Sequence, residues 1–253
     1  MEHQLNMKTC HMRTIRIYQP GHYEPGQQWP LAAEAAHHVA VVLRMIVGQQ
    51  ITLFCGDDRE FLATLVRVQK KEVVVQVEQV CKMSRESPLA IHLAQGVSKG
   101  DRMDWVMQKA VELGVASITP ILTERSVVRL DRERSTKKEA HWQSIVIHAC
   151  EQCGRNQMPI VHPICTYDDF IQHCSMKSRL ILHPSPEPWG KPQELPQDEV
   201  AVVIGPEGGL SSLEMEKAKQ YHFQPLRLGP RILRTETAAV VALSLLQAKY
   251  GDL

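Results

Sequence analysis

No apolar run in this 253-residue chain approaches the ~18–20 residues of a membrane span. The longest, Ala238 to Leu246, is about half that and contains Ser244. The opening Met1-Glu2-His3-Gln4 lacks the basic-then-apolar order of a signal peptide. Membrane and secreted readings are excluded, and a cytoplasmic location is expected. Charge of one sign is lacking too: 29 Lys+Arg stand against 28 Asp+Glu, a net +1. The chain is no tail-driven polyelectrolyte, so any nucleic-acid site must be a local patch. Gly and Pro, at 14 and 15, are ordinary, and neither repeats nor low-complexity tracts occur, which removes collagen-like and broadly disordered classes.

A disulfide framework is also missing. Seven Cys, an odd number at irregular spacing, suit reduced thiols. The one close pair, Cys150-Glu151-Gln152-Cys153, has no second C-x-x-C and falls late in a helical stretch, so it reads as two small residues one turn apart. The 12 His are scattered, and His37-His38 lacks the i, i+4 spacing of a zinc pair. No metal is expected.

What is present divides the chain. Residues 1–11 are expected to form a disordered extension, with Met12 an alternative start. From residue 12 to 85 the pattern is mainly strands: Thr14–Tyr18, Gln50–Cys55, Phe61–Val68 and Glu72–Val80, with one helix predicted over Ala33–Val47 and stopped by Gly48. This suits a small β-barrel acting as a binding module. The polar Ser84-Arg85-Glu86-Ser87-Pro88 marks a boundary. Residues 88–253 then alternate. Strands are predicted at Leu89–Gly96, Ser117–Leu122, Pro159–Ile164, Leu180–Leu182, Val200–Ile204 and Pro225–Leu228. Helices are predicted at Asp101–Leu113, Arg132–Cys153, Tyr167–Cys174, Ser212–Gln220 and Thr235–Tyr250, with a Pro-rich loop over Pro184–Gln197. Near-continuous apolar strands alternating with helices predict an α/β domain, a parallel sheet covered on both faces.

Ligands in such sheets bind beyond the carboxyl ends of the strands. Three ends stand out: Leu182-His183-Pro184; Gly205-Pro206-Glu207-Gly208-Gly209, leading to a Ser211-x-x-Glu214 capping pattern; and Leu228-Gly229-Pro230-Arg231-Ile232-Leu233-Arg234-Thr235-Glu236-Thr237. Glycines allow close backbone approach and prolines stiffen. The Gly-rich run is neither a Walker loop nor G-x-G-x-x-G, so a phosphate cradle is not indicated. With Ile204, Leu228, Ile232 and Leu233 alongside, the loops suit an uncharged purine held by backbone hydrogen bonds.

These two loops resemble the cofactor-binding loops of the RsmE family, SPOUT-class methyltransferases acting on N3 of a uridine in 16S ribosomal RNA. Supporting matches run from Met12 to the C-terminus: Met12-Arg13-Thr14-Ile15-Arg16-Ile17-Tyr18, Arg85-Glu86-Ser87-Pro88-Leu89, Gln108 to Val115, Thr123-Glu124-Arg125-Ser126, and Ala149 to Arg155. The leader of eleven residues fits no part of the pattern. The resemblance implies an N-terminal PUA-like β-barrel that binds RNA, a C-terminal SPOUT domain with a trefoil knot, a homodimer, and S-adenosylmethionine (SAM) as methyl donor.

On that resemblance, Leu182, His183, Gly205, Pro206, Gly209, Leu228, Gly229, Ile232, Leu233 and Thr237 are expected at the cofactor. Arg13, Arg16, Arg44, Arg155 and Arg231 are expected at RNA. Residues 1–87 hold ten basic and nine acidic side chains, so RNA binding there rests on local clustering. Methylating uracil N3 removes a proton from a neutral nitrogen, which needs a base or a positive charge beside the developing anion. Among Arg231, Arg234, Glu207, Glu236, Arg125, Glu151 and Arg155, Arg234 and Arg125 are favoured as the catalytic electrostatic element. A carboxylate beside an Arg is a poor base, and Glu236, early in a helix, reads as complementing the helix dipole. Two alternatives remain: ribose 2′-O-methylation, and a non-catalytic RNA-binding assembly protein on the same fold.

Overall fold

The computed structural model describes residues 14–126, 131–183 and 198–253. Two compact units emerge. One ends at Arg85 and takes in Cys150–Met158; the other comprises Glu86–Ala149 and Pro159–Leu253. The expected second domain, 88–253, is thus interrupted by a nine-residue stretch that groups with the first unit.

In the first unit, β1 (Ile15–Tyr18), β2 (Gln28–Pro30), β3 (Gln50–Phe54), β4 (Arg59–Val68) and β5 (Val73–Lys82) form one sheet in the order β1-β3-β4-β5-β2. Only β1–β3 is parallel; the other pairs are antiparallel. Alternate residues Phe61, Ala63, Leu65 and Val73, Val75, Val77 are fully buried, as the two-residue strand period requires. The three-residue β2 went unforeseen because it is short and ends in Pro30, which is tolerated on a sheet edge.

The predicted helix over Ala33–Val47 is shorter in the structure. It runs as α1 (Ala33–His37), passes into a π-helical turn at His38–Val42 and stops. Arg44 takes a left-handed φ of 52°, which ends the helix, and Ile46 and Val47 face outward instead of the core.

The grouping of Cys150–Met158 has a polar cause. Glu60, 5% exposed, accepts from Arg16 at 2.6 Å, from Arg85 at 2.5 Å and from Asn156 at 3.2 Å. Arg16 also donates to Asn156 Oδ1 (2.6 Å) and the Arg155 carbonyl (3.1 Å). The Tyr18 N–H donates to Glu151 Oε1 at 2.9 Å. Burial alone would raise the Glu60 carboxyl, but Arg85 and Arg16 hold it below its ordinary value.

The second unit carries a seven-stranded sheet: β6 (Ala90–Gly96), β7 (Val115–Leu122), β8 (Ile160–Val161), β9 (Cys165–Thr166), β10 (Ser178–Leu182), β11 (Glu199–Ile204) and β12 (Gln224–Leu226). The main path is β12-β10-β11-β6-β7-β8, with β9 on β7, and every pairing is parallel. The strand predicted over Pro159–Ile164 is cut to β8, and pairing resumes only beyond it at β9, because Pro163 lacks the N–H that a continuous ladder would use.

Both sheet faces are covered. Leu93, Ile118, Leu180, Val202 and Ile204 pack under α2 (Arg102–Glu112), α6 (Thr235–Tyr250) and Trp142 of α3 (Arg132–Cys153). Their neighbours Ala94, Ile121, Ile181, Ala201 and Val203 face α4 (Tyr167–His173) and α5 (Ser212–Gln220). Each of the Leu, Ile and Val side chains among them contributes roughly 1.5–3 kcal/mol on burial. Gln247, 1% exposed, donates to the Leu113 carbonyl at 3.0 Å and accepts from Ser87 at 2.6 Å, tying the end of α6 to the end of α2. Among the described residues, no helix is long and apolar enough to cross a membrane.

Candidate functional site

At the carboxyl ends of β10, β11 and β12 the second unit opens a cavity of about 690 Å³. Its walls are the segment after β11, Ile204 to Leu210, and the segment from Leu226 to Glu236, with Leu182, His183, Arg102, Arg125 and Ala238 completing it. The backbone explains the glycines. Gly209 and Gly229 have φ of 69° and 91°, and a Cβ at either would meet no atom within 4 Å. Side chains are absent from these two positions for conformation and for the space they leave, not for packing. Gly205 differs: a Cβ there would lie 3.0 Å from Leu210 Cγ and 3.2 Å from the Gly209 carbonyl carbon.

The two loops are joined. Thr235 Oγ1 donates to the Gly205 carbonyl at 2.6 Å and accepts from Gln95 Nε2 at 2.9 Å. The Gly209 N–H closes its own turn on the Pro206 carbonyl at 2.8 Å. The predicted capping box forms, with Ser211 and Glu214 bonding each other's backbone N–H. Glu214 Oε1 also accepts from the Glu124 N–H at 2.9 Å, which fixes the segment bearing Arg125.

The charge around the cavity is strongly positive: Arg102, Arg125, Arg227, Arg231 and Arg234 against Glu207 and Glu236. Arg102 donates to Glu207 at 2.5 Å. Burial would raise the Glu207 carboxyl, but backbone N–H groups and Arg102 outweigh it and hold it below the usual range. Arg125 donates to the Gly208 carbonyl (3.0 Å) and Arg227 to that of Gly229 (3.2 Å). Among the described residues, Arg231 and Arg234 are the cavity guanidiniums with no such bond, and both are exposed. Burial pushes the His183 imidazole below its ordinary value, which favours the neutral ring.

Most residues expected at the cofactor line this cavity: Leu182, His183, Gly205, Pro206, Gly209, Leu228, Gly229, Ile232 and Leu233, joined by Arg125, Arg231 and Arg234. Thr237 does not. It is exposed, while Thr235 is buried at the cavity, because two residues along a helix turn about 200°. Arg16 and Arg155 are corrected as well. The Arg16 side chain is 12% exposed and committed to Glu60 and Asn156, and Arg155 is 6% exposed, so neither presents a guanidinium to an RNA backbone. Arg44 is exposed on its left-handed turn, and Arg13 lies outside the described residues. Sequence reasoning missed Arg102 and Arg227, and nothing in the spacing of either signals the cavity. Among the described residues, no group of three or more His, Cys, Asp or Glu could hold a metal ion.

Comparison with known proteins agrees with this architecture. Residues 85–247 match the model of an RNA methyltransferase domain, and residues 31–78 match that of an RNA methyltransferase PUA domain. A structure from Legionella pneumophila, described as a methyltransferase with bound SAM, is 53% identical with a TM-score of 0.91, covering 96% of this chain and 100% of that one. The ribosomal RNA small subunit methyltransferase E of Neisseria gonorrhoeae, bound to S-adenosylmethionine, is 37% identical with a TM-score of 0.87 over 95% and 99% of the two chains. The protein of that name from Buchnera aphidicola (strain APS) is 36% identical over 94% of each chain.

Proposed function

The chain belongs to the RNA methyltransferase family, and from that premise we propose that it transfers a methyl group from S-adenosylmethionine to N3 of a uridine in 16S ribosomal RNA of the small subunit. The observation that carries the reading is the cavity between the two Gly-Pro loops. It has open glycine positions, apolar Leu182, Leu228 and Leu233, and a guanidinium-rich mouth.

The residues present fit the cofactor. The space left at Gly209 and Gly229 admits a flat adenosine close to the backbone, with Leu182, Gly205, Leu228, Ile232 and Leu233 around it. SAM, when bound, supplies an electrophilic methyl group on a sulfonium. Arg234, exposed and without a bond among the described residues, stabilises the negative charge that grows on the uracil as N3 gives up its proton. Arg231 meets RNA phosphate. Arg125 serves through its bond to the Gly208 carbonyl, holding the loop.

The target base must leave its stack for N3 to be reached. The first unit, with its PUA domain match, supplies RNA affinity, and Arg44 belongs to its contact surface. The trefoil knot and the homodimer complete the reading. The knot rests on the match of residues 85–247 to the RNA methyltransferase domain. In support of the dimer, Leu245 and Trp105 remain 55% and 41% exposed on α6 and α2. A ribosomal substrate places the protein in the cytoplasm.

The test is tritiated methyl transfer from SAM to 30S particles of a strain lacking the gene, followed by mapping of the labelled nucleotide. A label at N3 of one 16S uridine is expected. Label on a ribose, or none, overturns the reading.

A further inference from the structure

Two carboxylates line the cavity, and they are not equivalent. Glu207 is neutralised by Arg102 and by the Lys99 N–H. Glu236 Oε2 is shut off from solvent and has no hydrogen-bond partner among the described residues. An acceptor left in that state costs roughly 1–3 kcal/mol, and a catalytic role is one of the reasons a fold retains it. Dipole complementarity at the start of α6 explains a carboxylate there but not why one oxygen is buried and unbonded.

Resting on the function proposed above, we infer that Glu236 is the proton acceptor for uracil N3–H. The balance is complete: the N3–H bond breaks, its proton goes to the Glu236 carboxylate, the N3 pair forms the new N–CH3 bond, and the S–CH3 pair returns to sulfur. The other acceptors at the cavity are less suited. Glu207 is paired and held low, and burial weakens His183 as a base. The charged groups that line the cavity with Glu236 are the Glu207 carboxylate and the guanidiniums of Arg102, Arg125, Arg227, Arg231 and Arg234. Arg102, Arg125 and Arg227 are bonded to Glu207, Gly208 and Gly229, while Arg231 meets RNA phosphate and Arg234 complements the uracil anion once the proton has left.

The experiment compares wild type, Glu236→Gln and Glu236→Asp in single-turnover methyl transfer to undermethylated 30S particles over a range of pH, with SAM affinity measured by calorimetry. The expected result is that Glu236→Gln binds SAM as wild type does but transfers methyl at least about 10²-fold more slowly. Its remaining rate should climb with pH as hydroxide takes over. Glu236→Asp should recover part of the rate, and it also serves if the Gln variant melts early. A Gln variant at the wild-type rate, or one whose SAM affinity falls as far as its rate, overturns the assignment; the second outcome would make Glu236 a cofactor ligand. Failure of the wild-type enzyme to label N3 removes both this inference and the function it rests on, and is visible without any variant.

Discussion

Thr235 Oγ1 donates to the Gly205 carbonyl oxygen at 2.6 Å, which ties the first residue of α6 to the end of β11. The same hydroxyl accepts from Gln95, a side chain that is 0% exposed, so three distant stretches meet at one oxygen. The two cavity loops are therefore held in register by a side chain rather than by the sheet alone. Thr235→Val keeps the shape and removes both bonds. With a net contribution of about 0.5–1.5 kcal/mol per hydrogen bond, SAM affinity should fall about tenfold, while Thr235→Ser stays near wild type; titration calorimetry decides.

Gly229 has a φ of 91°, which a β-branched residue adopts only under strain. Gly229→Val adds that strain and projects a side chain into open space at the cavity. SAM binding should disappear, with the melting temperature lowered only by the backbone strain of about 1–3 kcal/mol, since no atom would be struck. Unchanged SAM affinity would remove Gly229 from the cofactor site.

Arg234 and Arg125 should fail in different ways. Arg234→Ala should lower the rate at saturating substrate by about 10²–10³, the usual cost of one preorganised charge. Arg125→Ala frees the Gly208 carbonyl, so it should weaken SAM binding more than it slows transfer. If Arg234→Ala raises the KM for RNA and leaves kcat alone, Arg234 is a substrate clamp.

Arg16→Ala is a stability variant rather than an RNA-affinity variant. Removing it leaves Glu60 buried with one cation fewer, and breaking such a pair costs about 3–5 kcal/mol. The pH dependence has a defined sign. Glu60 is held below its ordinary 4.5, so its stabilisation is full above that pH and is lost as pH falls through the lower folded-state value. The difference in urea midpoint between wild type and Glu60→Gln should therefore be constant near neutrality and shrink below pH 4.5.

Short-range pattern determined a good deal of this protein. The bounds of α3, α5 and α6 match the periodicity read from the residues, and the glycine-proline clusters after β11 and near Leu228 lie where a parallel sheet places its ligand. The RNA methyltransferase family was legible in the same clusters, because loops that approach a ligand with backbone tolerate few residue types. Tertiary structure decided the rest. Arg16 looks like any exposed basic residue until it meets Glu60 and Asn156, 44 and 140 positions along the chain. Helix phase relative to β11 selected Thr235 over Thr237, and a left-handed Arg44 cut short a helix that its own periodicity would have continued. Periodicity records which face of an element is apolar. It carries no record of which distant charge will stand opposite, and that pairing separates a structural arginine from one that reaches RNA.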